Sequence, residues 1–185
     1  MGRLAQTLGP TGDTVQLLVP KSEIAAYAAR YKLERGEDEI VALRASVQAA
    51  GYLSKSQLSQ VAWWKSPRSS PHIAKNSDEF IRDITNISLR SKHERTKIEV
   101  LTILDGVQWP TASVVLHLFH DEPYPILDSR ALWSINTKVP KQYTFSLWNE
   151  YVEFCRDLSN SCKVNMRTLD RALWQYSLEN QKSVA

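Results

Sequence analysis

The sequence predicts an all-α fold, a bundle of roughly eight to ten short helices, and three observations carry that prediction. Apolar residues recur at three- and four-residue spacing along most of the chain, which places them on one face of a helix. Ser, Thr or Asn precedes several of these runs, where a helix start needs a side-chain acceptor for its first amides. No stretch alternates in the two-residue period of a strand, and there is neither a solenoid-length repeat nor a low-complexity segment. At 185 residues the chain is long enough for one well-buried unit and short for two independent ones.

Residues 1–20 read as a flexible N-terminal arm, punctuated by Gly9-Pro10, Gly12 and Pro20, and a single domain is expected over 21–180. A helix fits 21–35, with Ile24, Tyr27, Ala28 and Tyr31 on one face and Gly36 at its end. The next, over roughly 38–50, buries Ile40, Leu43, Val47 and Ala50, and Gly51 suits its C-terminal cap. Ser54 and Gln57 have the spacing of a capping box ahead of Leu58, Val61 and Ala62.

That third helix ends in Trp63-Trp64-Lys65-Ser66-Pro67-Arg68. Neighbouring helical residues diverge by about 100°, so the two indoles cannot face one core. One packs, and the other is available to line a pocket or meet a ligand. Aromatic and cationic groups together suit base stacking and phosphate contact, and half-burial of both rings between helices is the structural alternative. Asn76 with Glu79 caps a helix whose apolar face is Phe80, Ile81, Ile84 and Ile87. Ser91 with Glu94 caps another, and the mixed-sign segment 90–97 reads as a solvated helix start.

A helix–turn–helix follows. Ile98, Leu101 and Leu104 keep helical spacing, and Asp105-Gly106 breaks it. Pro110 fits the first turn of a new helix, whose buried face is Ala112, Val115, Leu116 and Phe119. Pro123 and Pro125 stiffen the exit, and Ile126-Leu127 delivers Asp128 to the head of a helix reaching Ile135. After a loop containing Pro140, Thr144 caps a helix with Phe145, Trp148, Tyr151, Val152 and Cys155 facing inward. Asn165 starts the last, with Met166, Leu169, Leu173, Trp174 and Tyr176 mostly packed.

Composition removes several function classes. No apolar run is long enough to cross a bilayer, and the N-terminus has neither a signal-peptide core nor a myristoylation pattern, so a cytoplasmic location is expected, with the nucleoid if the host is bacterial. Cys155 and Cys162 cannot supply the four thiolates of an iron–sulfur cluster and read as reduced, packed cysteines. His117 and His120 share a helix, yet nothing nearby completes a metal site, and no metal is expected. Net charge is only +3, but 40–77 contains no acidic residue and carries Arg44, Lys55, Lys65, Arg68 and Lys75. A second acid-free run, 129–149, carries Arg130, Lys138 and Lys141. Such segments can line a phosphate-following surface, or simply solubilise the chain.

The stretch 98–133, roughly a fifth of the chain, strongly resembles the helix-hairpin-helix (HhH-GPD) DNA glycosylase superfamily in the order and spacing of Leu104, Gly106, Val107, Thr111, Ala112 and Asp128. The resemblance implies a hairpin, Gly106, Val107, Gln108, Trp109 and Thr111, whose backbone amides and helix N-terminus hold a DNA phosphate. It also implies hairpin carbonyls able to hold a monovalent cation; no other cofactor is expected. The family pattern has a second glycine where Gln108 stands, and if that position needs positive φ the glutamine is strained and the loop reshaped.

The resemblance makes Asp128 the catalytic carboxylate, stabilising oxocarbenium-like charge on the sugar and orienting or deprotonating the attacking water. Its structural alternative is an N-cap of the following helix, a compatible role. Relatives that also cleave the strand carry a lysine directly before the Thr-Ala pair, where this chain has Pro110. Proline offers no amine for a Schiff base, so a monofunctional enzyme is expected unless Lys65 or Lys138 substitutes in space. An enzyme of this class extrudes its target nucleotide into a pocket, for which the candidates, together with DNA contacts, are Trp63, Trp64, Lys65, Arg68, Tyr124, Ser129 and Arg130. The partner expected is double-stranded DNA, bound by a monomer. The substrate class is a damaged or modified base, phage-modified bases included. Two alternatives stand beside this reading: a non-catalytic duplex-binding module on the same scaffold, and a helical interaction protein whose hairpin only packs.

Overall fold

The computed structural model describes residues 6–8, 13–32 and 36–181. In chain order these form strands Gln6–Leu8 (β1) and Asp13–Val15 (β2), then helices Ile24–Arg30 (α1), Glu37–Ala42 (α2), Arg44–Ala50 (α3), Lys55–Lys65 (α4), Asp78–Arg90 (α5), Glu94–Glu99 (α6), Trp109–Phe119 (α7), Ser129–Ser134 (α8), Phe145–Cys162 (α9) and Met166–Asn180 (α10). Single 3₁₀ segments at Lys21–Glu23, Ser70–Lys75 and Val100–Ile103 complete the set. The fold is all-α, with ten α-helices among the described residues. None of them is long and apolar enough to cross a membrane.

The contacts group the chain into two compact units, Met1–Lys32 with Pro125–Ala185, and Leu33–Tyr124, where the sequence reading takes 21–180 as one domain. In the second unit α7 is the centre. Eight of its eleven residues are buried, Thr111 and Ser113 among them, so it is enclosed on more than one face rather than along a single stripe. The predicted face of Ala112, Val115, Leu116 and Phe119 is in the core, and so are Val114 and Leu118 on other faces. Helices α3, α4 and α6 pack around it, and each fully buried Val or Leu contributes about 1.5–3 kcal/mol. In the first unit α10 plays this part against α1, α8 and α9.

The structure corrects several local expectations. The N-terminal arm is not loose where it is described. β1 and β2 pair antiparallel with Gln6 opposite Val15, Val15 and Val19 are buried, and the Gln16 and Leu18 amides donate to the carbonyls of Ile135 and Ser134 at 3.2 and 2.9 Å. The rest of the arm, 1–5 and 9–12, lies outside the described residues. The first helix stops at Arg30, because Tyr31 turns extended, and 33–35 lie outside the description. The helix expected over 38–50 is interrupted at Leu43.

The capping box of Ser54 and Gln57 forms as spaced, but the cap of α5 is Ser77, one residue later than expected. On α5 the buried face is Ile81, Ile84, Thr85 and Ser88, while Phe80 and Ile87 are exposed. The hydroxyl of Thr85 accepts the Leu53 amide at 2.9 Å, which satisfies it inside the core. At α6 the N-cap is His93, with Ser91 two residues before it. Lys97, expected on a solvated helix start, is 2% exposed.

Candidate functional site

The hairpin between the 3₁₀ turn and α7 is a tight turn closed by one backbone bond, from the Val107 amide to the Leu104 carbonyl at 3.0 Å. That bond removes Val107 from the amides available to a phosphate. Gly106 has φ +85°, a conformation that side-chain-bearing residues rarely adopt. A Cβ there would meet backbone, lying 2.8 Å from the Ser69 carbonyl oxygen and 3.0 Å from the Ile73 nitrogen. Gln108, where the resembling pattern has glycine, is extended with φ −108° and forms the N-cap of α7. It carries no left-handed strain, so that departure costs the turn nothing. Pro110 sits in the first turn as expected, and the first bond of the α-helical ladder is donated by the Ala112 amide to Gln108. The Trp109 and Thr111 amides lie ahead of it, at the positive end of the helix. The Thr111 side chain is buried.

Asn76 fixes the start of this turn. Its Nδ2 donates to the Asp105 carbonyl at 3.0 Å and to the Ile73 carbonyl at 3.1 Å, and its Oδ1 accepts the Asp105 amide at 3.0 Å. Sequence reading assigns Asn76 to a helix cap, and only the non-local pairing reveals its role. The Asp105 and Leu104 carbonyls each accept a protein N–H, so a monovalent cation at the hairpin would share oxygens already partly engaged.

Asp128 is in the first unit. Its backbone is extended, φ −142° and ψ 144°, and its side chain caps α8, with Oδ1 accepting the Arg130 amide at 2.9 Å. The segment that delivers it is immobilised by chemistry of its own. Ile126 and Leu127 are buried, and the hydroxyl of fully buried Tyr151, on α9, donates to the Ile126 carbonyl at 3.1 Å. Asp128 itself is half-buried. Its charge acts on two tyrosines. Burial raises the Tyr143 hydroxyl above its ordinary pKa, and Asp128 adds to that. Burial holds Tyr151 well above its usual value, with Cys155, Asp170 and Asp128 adding. Asp170 is buried against Arg167, at 2.6 Å. Arg130 covers the Trp174 ring at 5.2 Å. The arrangement is a carboxylate on a rigid loop within reach of solvent, backed by aromatic and cationic groups. Sequence spacing does not connect Tyr143, Tyr151 or Asp170 with Asp128, because each lies at least 15 positions from it along the chain.

The other predicted site residues separate. Trp63 is 50% exposed and Trp64 half-buried, the divergence the helix requires. The Trp64 Nε1 is buried and has no hydrogen-bond acceptor. Lys65 is half-buried, Arg68 and Ser129 are exposed. Tyr124 is 1% exposed and is no pocket wall. Its hydroxyl accepts from Lys97 Nζ at 2.8 Å and lies 2.8 Å from Glu122 and 2.9 Å from Glu94, while its carbonyl pairs with His117 Nδ1 at 2.6 Å. Burial of the Lys97 ammonium is offset by these groups, including Glu122 at 2.6 Å. Two cations of the acid-free run are also spent internally. Arg44 donates to the Leu118 and His120 carbonyls at the end of α7, and Lys55 donates to Ala74 and Asn76. Arg68 and Lys75 of that run are exposed.

No family model and no curated protein matches this chain. Among solved structures it is similar to the Methanocaldococcus jannaschii 8-oxoguanine glycosylase/lyase in complex with a 15mer DNA containing 8-oxoguanine, with a TM-score of 0.49 and 18% identity over 89% of this chain and 82% of that one. It is also similar to the M. jannaschii 8-oxoguanine DNA glycosylase, with a TM-score of 0.46 and 19% identity over 88% and 78%. Neither likeness transfers a substrate or a residue role.

Proposed function

We propose that this protein is a monofunctional DNA glycosylase that hydrolyses the N-glycosidic bond of a damaged or modified base in double-stranded DNA. The observation that carries the reading is the setting of Asp128, an extended, half-buried carboxylate on a loop locked by Ile126, Leu127 and Tyr151. Such a group can stabilise positive charge at C1′ as the bond to the base lengthens. It can accept the proton of the water whose oxygen bonds C1′, while the base leaves with the bonding pair and is protonated from solvent. Capping α8 through one oxygen does not conflict with this role, since a carboxylate has further lone pairs.

The hairpin supports the DNA partner. Gly106 allows the tight turn, and the first turn of α7 presents the positive end of an eleven-residue helix, suited to a phosphate without a charged side chain. Such contacts would fix register and carry no sequence information. Pro110 provides no amine, so a Schiff base from that position is ruled out and strand cleavage is not expected. The competing reading, a duplex-binding module without chemistry, shares the hairpin and differs only at Asp128.

Mass spectrometry of free bases released from a pool of damaged and virally modified DNA, by wild type and Asp128→Asn in parallel, tests the proposal. A base released by wild type alone supports it and identifies the substrate. Release by neither protein, with salt-sensitive binding by both, supports the module. Borohydride trapping of a protein–DNA adduct would overturn the monofunctional assignment.

A further inference from the structure

On the Leu33–Tyr124 unit, α2, α4 and the Ser70–Lys75 turn enclose an open groove of about 740 Å³, within the range of about 300–1,000 Å³ typical of small-molecule sites. One face of α4 supplies Ser56, Ser59, Gln60 and Trp63, at intervals that bring them into line along the helix. Gly36, Glu39 and Ile40 at α2 and Ser70 of the turn complete the lining, so the groove carries one exposed carboxylate, Glu39, beside its neutral polar groups. The groove thus offers an exposed indole as a flat wall, with hydroxyl and amide groups able both to donate and to accept.

We propose that this groove holds an unstacked nucleobase of a single-stranded or locally opened segment, lying on Trp63 and hydrogen-bonded at its edge by Gln60 and the serines. The inference rests on the reading that this chain binds DNA, and it adds a base-binding position that does not depend on Asp128. Two observations select this occupant. First, the 66–69 turn that joins α4 to the Ser70–Lys75 segment carries the exposed Arg68 and follows directly on Lys65, the last residue of α4, while Glu39 is the one acidic residue of the lining; cations next to an aromatic wall suit a strand whose phosphates run past the groove. Second, the same turn is the support of the hairpin. Its Ser69 carbonyl and the Ile73 nitrogen of the adjoining 3₁₀ segment leave Gly106 no room for a Cβ. One short segment therefore borders the groove and underlies the hairpin, so a strand held at the hairpin has a base site beside it on the same unit.

The test uses the full chain and single-stranded oligonucleotides carrying 2-aminopurine, whose fluorescence falls when the base stacks. Wild type and Asp128→Asn are both expected to quench it. Trp63→Ala is expected to abolish quenching and weaken binding about tenfold or more, with unchanged helical circular dichroism, because Trp63 is half exposed. Trp63→Phe retains a stacking face and should keep most of both signals. Arg68→Ala should lower the salt dependence and leave quenching in place. Oligonucleotide binding by wild type without quenching, or quenching unchanged in Trp63→Ala, overturns the groove and leaves the glycosylase reading standing. No binding to any DNA overturns both.

Discussion

A Cβ on Gly106 would lie 2.8 Å from the carbonyl oxygen of Ser69, a backbone atom 37 positions away that cannot swing aside. The glycine is thus required twice, by φ +85° and by that contact. Gly106→Ala is expected to cost at least about 2 kcal/mol, since left-handed backbone alone costs a side-chain-bearing residue roughly 1–2 kcal/mol. Gln108→Gly, at φ −108°, should stay within about 1 kcal/mol of wild type. Urea unfolding of both variants checks this. Equal stabilities would show that the turn relaxes more freely than its packing implies.

Asn76 provides a second test of the hairpin. Removing its side chain in Asn76→Ala deletes two part-buried hydrogen bonds to the backbone of Asp105, at about 0.5–1.5 kcal/mol for each bond lost. The loss should reach DNA as well. A phosphate held by backbone amides depends on the turn being fixed, so duplex affinity measured under conditions where the variant is folded should fall. Unaltered affinity would place the phosphate contact elsewhere.

The Lys97 cluster predicts a pH dependence. The Lys97 ammonium, then the Tyr124 hydroxyl, lower the Glu122 carboxyl from 4.5 to about 2. A depressed folded pKa means stability that is fully present above the unfolded value and is lost as pH falls from about 4.5 towards 2. Wild type should therefore lose stability over that window, and Glu122→Gln should flatten the curve there while leaving other carboxylates to titrate. Half of the Glu122 side chain is in solvent, so the effect is modest. Identical acid limbs for the two proteins would contradict the assignment.

What the sequence revealed follows from what is local. Helical spacing and caps are written within four residues, so the capping box at Ser54 and Gln57 and the caps Asp128, Thr144 and Asn165 were legible. The shift of the α5 cap to Ser77 was not, because Asn76, an equally good capping residue, is drawn off by Asp105 29 positions later. Lys97 and Tyr124 misled for a related reason. A lysine in a mixed-charge run reads as solvated until Glu122 is brought to it, and a tyrosine beside prolines reads as a pocket wall until its hydroxyl finds a buried ammonium. The hairpin was legible as a turn through Asp105-Gly106 and Pro110, while the closeness of Ser69 was not. At Asp128 the sequence gives the residue and its cap, and Tyr151 and Asp170 enter only through packing.

Asp128 is where capping and chemistry can be separated, because two substitutions act on them differently. Asparagine caps helices about as well as aspartate, whereas alanine at such a position costs roughly 0.5–2 kcal/mol. Asp128→Asn keeps an oxygen able to accept the Arg130 amide at its present 2.9 Å and removes the negative charge. On the proposed mechanism it should keep the wild-type fold and most duplex affinity while losing base release by at least about a hundredfold, in line with losing a group for proton transfer. Asp128→Ala should lose the same activity and also melt earlier. If base release tracks thermal stability across the two variants, so that Asn is active and Ala is not, Asp128 is a cap and the carboxylate of the reaction lies elsewhere. If both are inactive and only Ala is destabilised, the charge does the chemistry and the cap positions it.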